Sequence, residues 1–284
     1  DSVEALVEAL RDGHFDAEVG GLEEPGPLIQ VVAEAAPRLQ SLSLCGCNLD
    51  AAALVQLGRA LAPSQITGIG VSNNPGLDVQ TWAGFWDLLP RSVAKWDFGD
   101  DELPDEALPA LMRAVQRAGG VRQLLLDGNN LAELGPLLPA VSAGSGLAEL
   151  DVGDNDLADA QVQALAAALP GSSLATLVLG RNAITDSGAV PLVVALPQSS
   201  LTALYLDSTE VGDATLDALA AVLPRTKLEE LHVDETKVGD AAVLRLCRAL
   251  PASALRLLDA SDNNLSEETE AAIEAAIPGD VDIQ

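Results

Sequence analysis

An apolar pattern of the form L-x-x-L-x-L-x-x-N-x-L returns nine times along this chain, opening at Leu39, Ile66, Val93, Val121, Leu147, Leu174, Leu201, Leu228 and Leu255. The steps are 27 residues with single deviations of 28 and 26. A fixed period of this size overrides any element-by-element reading, because one such unit cannot bury its apolar face alone and must stack on its neighbours. Counting 27 residues back from Leu39 reaches Asp12, where Phe15, Ala17 and Leu22 fill three of the apolar slots of a degenerate tenth copy.

Each copy carries two periods. Positions four and six alternate with polar residues, the spacing of a short strand, so Leu204 and Leu206 point inward while Ala203, Tyr205 and Asp207 point out. A helix follows. In the copy from Leu147, Asp159 is placed to cap it, Val162, Leu165, Ala166 and Leu169 line one face, and Pro170 ends it. Pro63, Pro90, Pro197, Pro224, Pro251 and Pro278 close other copies the same way. Parallel strands sit about 4.8 Å apart and packed helices about 8 to 10 Å. Stacked copies must therefore curve, with strands inside and helices outside.

The ninth position holds Asn74, Asn129, Asn155, Asn182 and Asn263, with Thr209, Thr236, Cys47 and Asp101 in the other copies. An inward amide there satisfies backbone groups where the chain leaves the strand. The stacked side chains form a ladder, which Cys47 and Asp101 weaken.

These nine copies resemble the leucine-rich repeat family, and the helical second half makes them similar to its ribonuclease-inhibitor-like subclass. The resemblance spans residues 12 to 284. It implies an α/β solenoid shaped as a horseshoe, with a parallel sheet on the concave face, helices on the convex face and about ten repeats of 27 residues. We expect a single domain over 1–284: a cap helix and degenerate repeat at 1–38, nine clear repeats at 39–277 and a cap strand at 278–284. Val3, Leu6, Val7 and Leu10 form one face of the cap helix, and Val281 and Ile283 belong to the cap strand. The resemblance also implies protein partners, nuclease inhibitors and activators of small GTPases being members of that subclass. Inhibitors of that kind are typically rich in cysteine, which this chain is not.

Charge narrows the function. Against 15 lysines and arginines stand 43 acidic residues, a net charge of -28. Such a surface repels phosphate, which argues against nucleic-acid binding and against anionic membranes, and no apolar run is long enough to span a bilayer. Only two histidines occur, His14 and His232, neither beside a serine or cysteine in a nucleophile arrangement. No phosphate-cradling glycine loop is present. We expect no enzyme activity, no metal and no cofactor. Cys45, Cys47 and Cys247 do not read as a disulfide framework. The chain starts at Asp1 without an initiator Met, as after removal of a targeting peptide or after trimming, which leaves a cytoplasmic or an organellar location open.

Two clusters could meet a partner. Trp82, Phe85 and Trp86 share a helix face next to Trp96 and Phe98 on a strand; they read as an enlarged core, or as an exposed convex anchor. The second cluster is the concave face. Its fifth-position column reads Ser43, Gly70, Asp97, Leu125, Asp151, Val178, Tyr205, His232 and Asp259, and Asp100, Asp127, Asp154, Asp207, Asp234, Glu235 and Asp262 follow in the turns, with Arg181 the lone base. Carboxylates about 5 Å apart in water repel by roughly 0.8 kcal/mol, which a fold tolerates. The expected function is a non-enzymatic scaffold that binds a basic protein partner through Asp97, Asp127, Asp151, Val178, Arg181, Tyr205, Asp207, His232, Asp234 and Asp259. Tyr205 and His232 supply the anchor, and Asp259, Glu230 and Asp234 around His232 make binding sensitive to mild acid. Two other readings are an accessory subunit of a larger, organellar or photosynthetic assembly, and a regulator of a nuclease or small GTPase. General solubility or adaptation to high salt also accounts for the acidity.

Overall fold

The computed structural model describes residues 16–20, as backbone, and 26–276. The cap helix with Val3, Leu6, Val7 and Leu10, the cap strand with Val281 and Ile283, and His14 lie outside the described residues. The chain divides into two compact units between Asn130 and Leu131.

In the first unit, strands β1 (Asp16–Gly20), β2 (Ser41–Cys45), β3 (Gly68–Ser72), β4 (Lys95–Asp97) and β5 (Gln123–Leu125) alternate with helices α1 (Gly26–Ala35), α2 (Ala51–Leu61), α3 (Val79–Leu88) and α4 (Leu108–Ala118). Each strand pairs in parallel with the next. The inward slots fall in line, Leu42 opposite Ile69, Ile69 opposite Trp96 and Trp96 opposite Leu124, and all four are buried. The degenerate first copy is shifted by two residues from the expected count: Ala17 and Val19, not Phe15 and Ala17, stand opposite Leu42 and Leu44. A slip of two keeps every side chain on its own face, so the apolar pattern alone does not forbid it.

The aromatic cluster is core. Trp82, Phe85, Trp86, Trp96 and Phe98 have no exposed surface, and Phe98 sits 5.6, 5.7 and 6.0 Å, centroid to centroid, from Trp82, Trp86 and Trp96. The convex-anchor reading fails because helix α3 turns both tryptophans inward. Close approach of α2 makes this possible. Gly58 lies against α3, where a methyl group would come 2.9 Å from Leu88 Cδ1 and 3.2 Å from Phe85 Cδ2.

The second unit begins with α5 (Leu138–Val141) and continues through β6 (Glu149–Asp151), α6 (Asp159–Ala168), β7 (Thr176–Val178), α7 (Asp186–Ala195), β8 (Ala203–Tyr205), α8 (Asp213–Val222), β9 (Glu230–His232), α9 (Asp240–Ala249), β10 (Leu257–Asp259) and α10 (Glu267–Ala276). Leu150, Leu177, Leu204, Leu231 and Leu258 form one buried row across its parallel strands. Pro197, Pro224 and Pro251 sit inside short 3-10 turns that end α7, α8 and α9. The missing proline N–H costs nothing in such a first turn.

The expected asparagine ladder is present in both units. Asn74 Oδ1 accepts from the amides of Cys47 and Leu49 at 3.1 and 3.2 Å, Asn129 Oδ1 from those of Asp101 and Leu103, and Asn182 Oδ1 from that of Leu157. Each side-chain amide also donates to the carbonyl two residues earlier, as Asn182 does to Gly180 and Asn263 to Ser261. Thr209 and Thr236 hold their slots by donating to Leu206 and Val233. The ladder therefore accepts from the preceding repeat.

A second ladder in the second unit runs the other way. Asp159 does not cap its own helix; its Oδ1 accepts from the amide of Thr185, one repeat later, at 2.8 Å. Asp186 does the same for Gly212 at 2.8 Å, Asp213 for Gly239 at 2.7 Å and Asp240 for Ser266 at 2.8 Å. In the first unit the cap is local, Asp50 accepting from Ala53 and Asp78 from Thr81, both at 2.7 Å. Much of the acid at helix starts is thus structural, favoured there by the free amides and the helix dipole.

Candidate functional site

The strand face turned away from the helices carries the expected binding residues. In the first unit these are Asp97, which stands between Gly70 and Leu125 in register, and Asp127 in the turn after β5. Burial holds the Asp97 carboxyl above its usual range against the opposing pull of the Gly99 amide. The Asp127 carboxylate lies over Gly99, where a methyl group would come 2.9 Å from its Oδ1. Asp127 O accepts from the Asp100 amide at 2.9 Å.

The second unit brings the other eight together. Asp151, Val178, Tyr205, His232 and Asp259 are consecutive register partners across β6 to β10. Arg181, Asp207 and Asp234 follow in the turns, with Arg181 exposed and the two aspartates half-buried. Arg181 adopts a left-handed conformation, φ 55°, and its amide donates to Asp207 O at 2.9 Å. The Asp207 carboxylate occupies the space beside Gly180 that any larger residue would fill. Asp151 Oδ1 accepts from the Gly153 amide at 2.9 Å.

Tyr205 and His232 are stacked, their ring centroids 4.4 Å apart and their planes 11° from parallel. Below them Glu230 links the pair. Its Oε1 accepts from the Tyr205 hydroxyl at 2.6 Å and lies 2.9 Å from His232 Nε2. The other imidazole nitrogen, Nδ1, faces Asp259 Oδ2 at 3.7 Å. Asp259 Oδ1 is taken by the Ser261 amide and hydroxyl at 3.0 and 2.7 Å. The hydrogen bonds from Tyr205 and His232 keep the Glu230 carboxyl below its usual range. Burial first, then repulsion from Asp259 and Asp207, raises that of Asp234.

The sequence places Glu230 beside His232 but gives no sign of its central role. It stands at an outward position of β9 opposite Ala203, and the small Ala203 leaves room for the reach to Tyr205. The second carboxylate ladder was also missed, although Asp159, Asp186, Asp213 and Asp240 recur at 27 residues. Cys45, Cys47 and Cys247 form no disulfide, with Cys47 buried in the ladder slot and its thiol directed to Cys45 O at 3.6 Å. No helix among the described residues is long and apolar enough to cross a membrane.

Residues 172–193 match the family model described as Leucine Rich repeat. The fold is correspondingly that of a leucine-rich repeat protein. The structure of an internalin from Listeria monocytogenes is similar with a TM-score of 0.50 and 14% identity, over 99% of this chain and 93% of that one. The yeast complex of Rad7 and Elc1 contains a chain 16% identical over 95% of this chain and 86% of its own, with a TM-score of 0.46. The actin-binding site 2 of leiomodin-1 is 12% identical over 61% and 87%, with a TM-score of 0.41. No curated protein matches the sequence at a significant level.

Proposed function

We propose that the chain is a non-enzymatic scaffold of the ribonuclease-inhibitor-like kind, whose strand face docks a basic protein partner. The observation that carries this is the contiguous row Asp151, Val178, Tyr205, His232 and Asp259 on one face, flanked by Asp207 and Asp234 and by the exposed base Arg181. Side chains at strand spacing on a rigid parallel sheet offer a fixed template, and a one-signed field speeds encounter with an oppositely charged surface. Tyr205 contributes its edge rather than a free hydroxyl, because that group is committed to Glu230. Val178 beside it supplies apolar contact.

Capture from lysate of the source cells at low and at high salt tests this reading. The expected result is a stoichiometric basic protein, lost at high salt and lost when Asp151, Asp207 and Asp259 are changed together to Asn. An assembly that resists salt and ignores these changes would favour the accessory-subunit reading. No partner at all would leave the acidity a matter of solubility.

A further inference from the structure

We propose that His232, Asp234 and Asp259 form a binding site for one divalent ion of the zinc class. Each side chain offers a ligand atom, and these atoms lie within 4.8 Å of one another. The imidazole, and the way it is held, distinguishes this group from surface acid. Ionised Glu230 is an acceptor only, so Nε2, at 2.9 Å from it, carries the imidazole hydrogen. The lone pair of the neutral ring is then at Nδ1, the nitrogen that faces Asp259.

The spacing suits an ion better than a direct bond. At 3.7 Å the Nδ1 to Oδ2 separation is too long for a hydrogen bond, but two contacts of about 2.1 Å meeting at a tetrahedral angle span about 3.4 Å, so a side-chain shift of a few tenths of an ångström brings both atoms to one ion. Tyr205 stacked on the ring limits its rotation. A carboxylate behind a histidine fixes its tautomer and orientation in metal sites, and Glu230, itself held by the Tyr205 hydroxyl, takes that place. One nitrogen and two carboxylates with open positions favour a borderline ion over calcium or magnesium, which take six or more oxygens. The site shares His232, Asp234 and Asp259 with the docking face, but an ion can bind there without any partner, so its binding is tested on the chain alone.

The full chain, stripped with chelator, is titrated with Zn²⁺ by calorimetry while NMR follows the two imidazoles. One equivalent is expected to bind, with the His232 signals shifting and those of His14 unchanged. H232Q abolishes this binding, D234N and D259N weaken it, and E230Q, which keeps all three ligands, weakens it by about 10 to 100-fold. Asp154→Asn, an acid removed from another turn, leaves it unchanged. Binding that survives H232Q, a response at His14 alone, an equal response of His232 to Mg²⁺, or no binding would each overturn the proposal.

Discussion

Asp101 occupies the ladder slot that Asn129 fills one repeat later, and the Asp101 amide donates to Asn129 Oδ1 at 3.2 Å. Its own Oδ1 accepts from the Asn74 amide at 2.8 Å. Oδ2 is buried without a partner, where an asparagine would donate to the carbonyl of Gly99 as its counterparts do two residues back.

Asp101→Asn is therefore expected to stabilise the protein. Burial, reinforced by repulsion from Asp97 and Asp100, pushes the Asp101 carboxyl up to about 8 against the pull of the Asn74 amide. The folded state thus prefers the protonated form. That contribution is fully present below about pH 4 and is lost as pH rises through about 8. Thermal melts should show the variant ahead by roughly 1 to 3 kcal/mol at pH 9, with a smaller gain at pH 5. A variant no more stable at pH 9 would refute the assignment.

Asp186→Ala removes an acceptor that joins two repeats. Asp186 Oδ1 takes the Gly212 amide at 2.8 Å, the Thr215 amide at 3.1 Å and the Thr215 hydroxyl at 2.5 Å. Burial works to raise its carboxyl, but these hydrogen bonds prevail and hold it below the usual range. Its stabilisation is present above the ordinary carboxylate value and is lost as pH falls through the lower folded one. The expected cost is about 1 to 2 kcal/mol near neutral pH, read by urea denaturation, and it should shrink in strong acid.

Tyr205 is the sole tyrosine, so its ionisation can be followed directly by ultraviolet absorbance. Burial first, then the hydrogen bond to Glu230 and the charges of Glu230, Glu149 and Asp207, raise its phenol above the ordinary value near 10. The folded protein should keep the phenol protonated through pH 10, and its contribution is lost only as pH rises through the higher folded value. Titration at the free value in the native protein would contradict the burial of the phenol and its hydrogen bond to Glu230.

The three tryptophans should emit in the blue and resist acrylamide, since none has exposed surface. Trp86→Ala should cost roughly 3 to 5 kcal/mol, the range for a large aromatic removed from a core. A red-shifted, quenchable emission would place a tryptophan on the surface.

Much of this was legible in the sequence, because a repeat multiplies weak signals. Leu204 and Leu206 are a modest strand hint alone; with Leu177, Leu179, Leu231 and Val233 at the same step they fix strand, face and register together. The first copy shows the limit. With Phe15, Ala17 and Val19 all apolar at alternate positions, a slip of two leaves the pattern intact, and spacing does not single out the register in which Ala17 stands opposite Leu42. In the candidate site, the row from Asp151 to Asp259 followed from counting. The partners of Tyr205 did not. Which carboxylate a hydroxyl reaches depends on side-chain rotamers and on the small size of Ala203, and neither leaves a trace in spacing.

The two ladders give the second unit a direction in time as well as in space. Asparagine oxygens wait for amides that precede them, whereas Asp159, Asp186, Asp213 and Asp240 wait for amides still to come. As a ribosome delivers the chain from its N-terminus, each new helix start emerges to find its acceptor already in place, and the asparagine that follows locks the turn just made. Growth of the stack is thus templated by the repeat before it, so a deletion of one whole 27-residue copy, which brings the next repeat's amide to each carboxylate, should be tolerated where a deletion of another length should not.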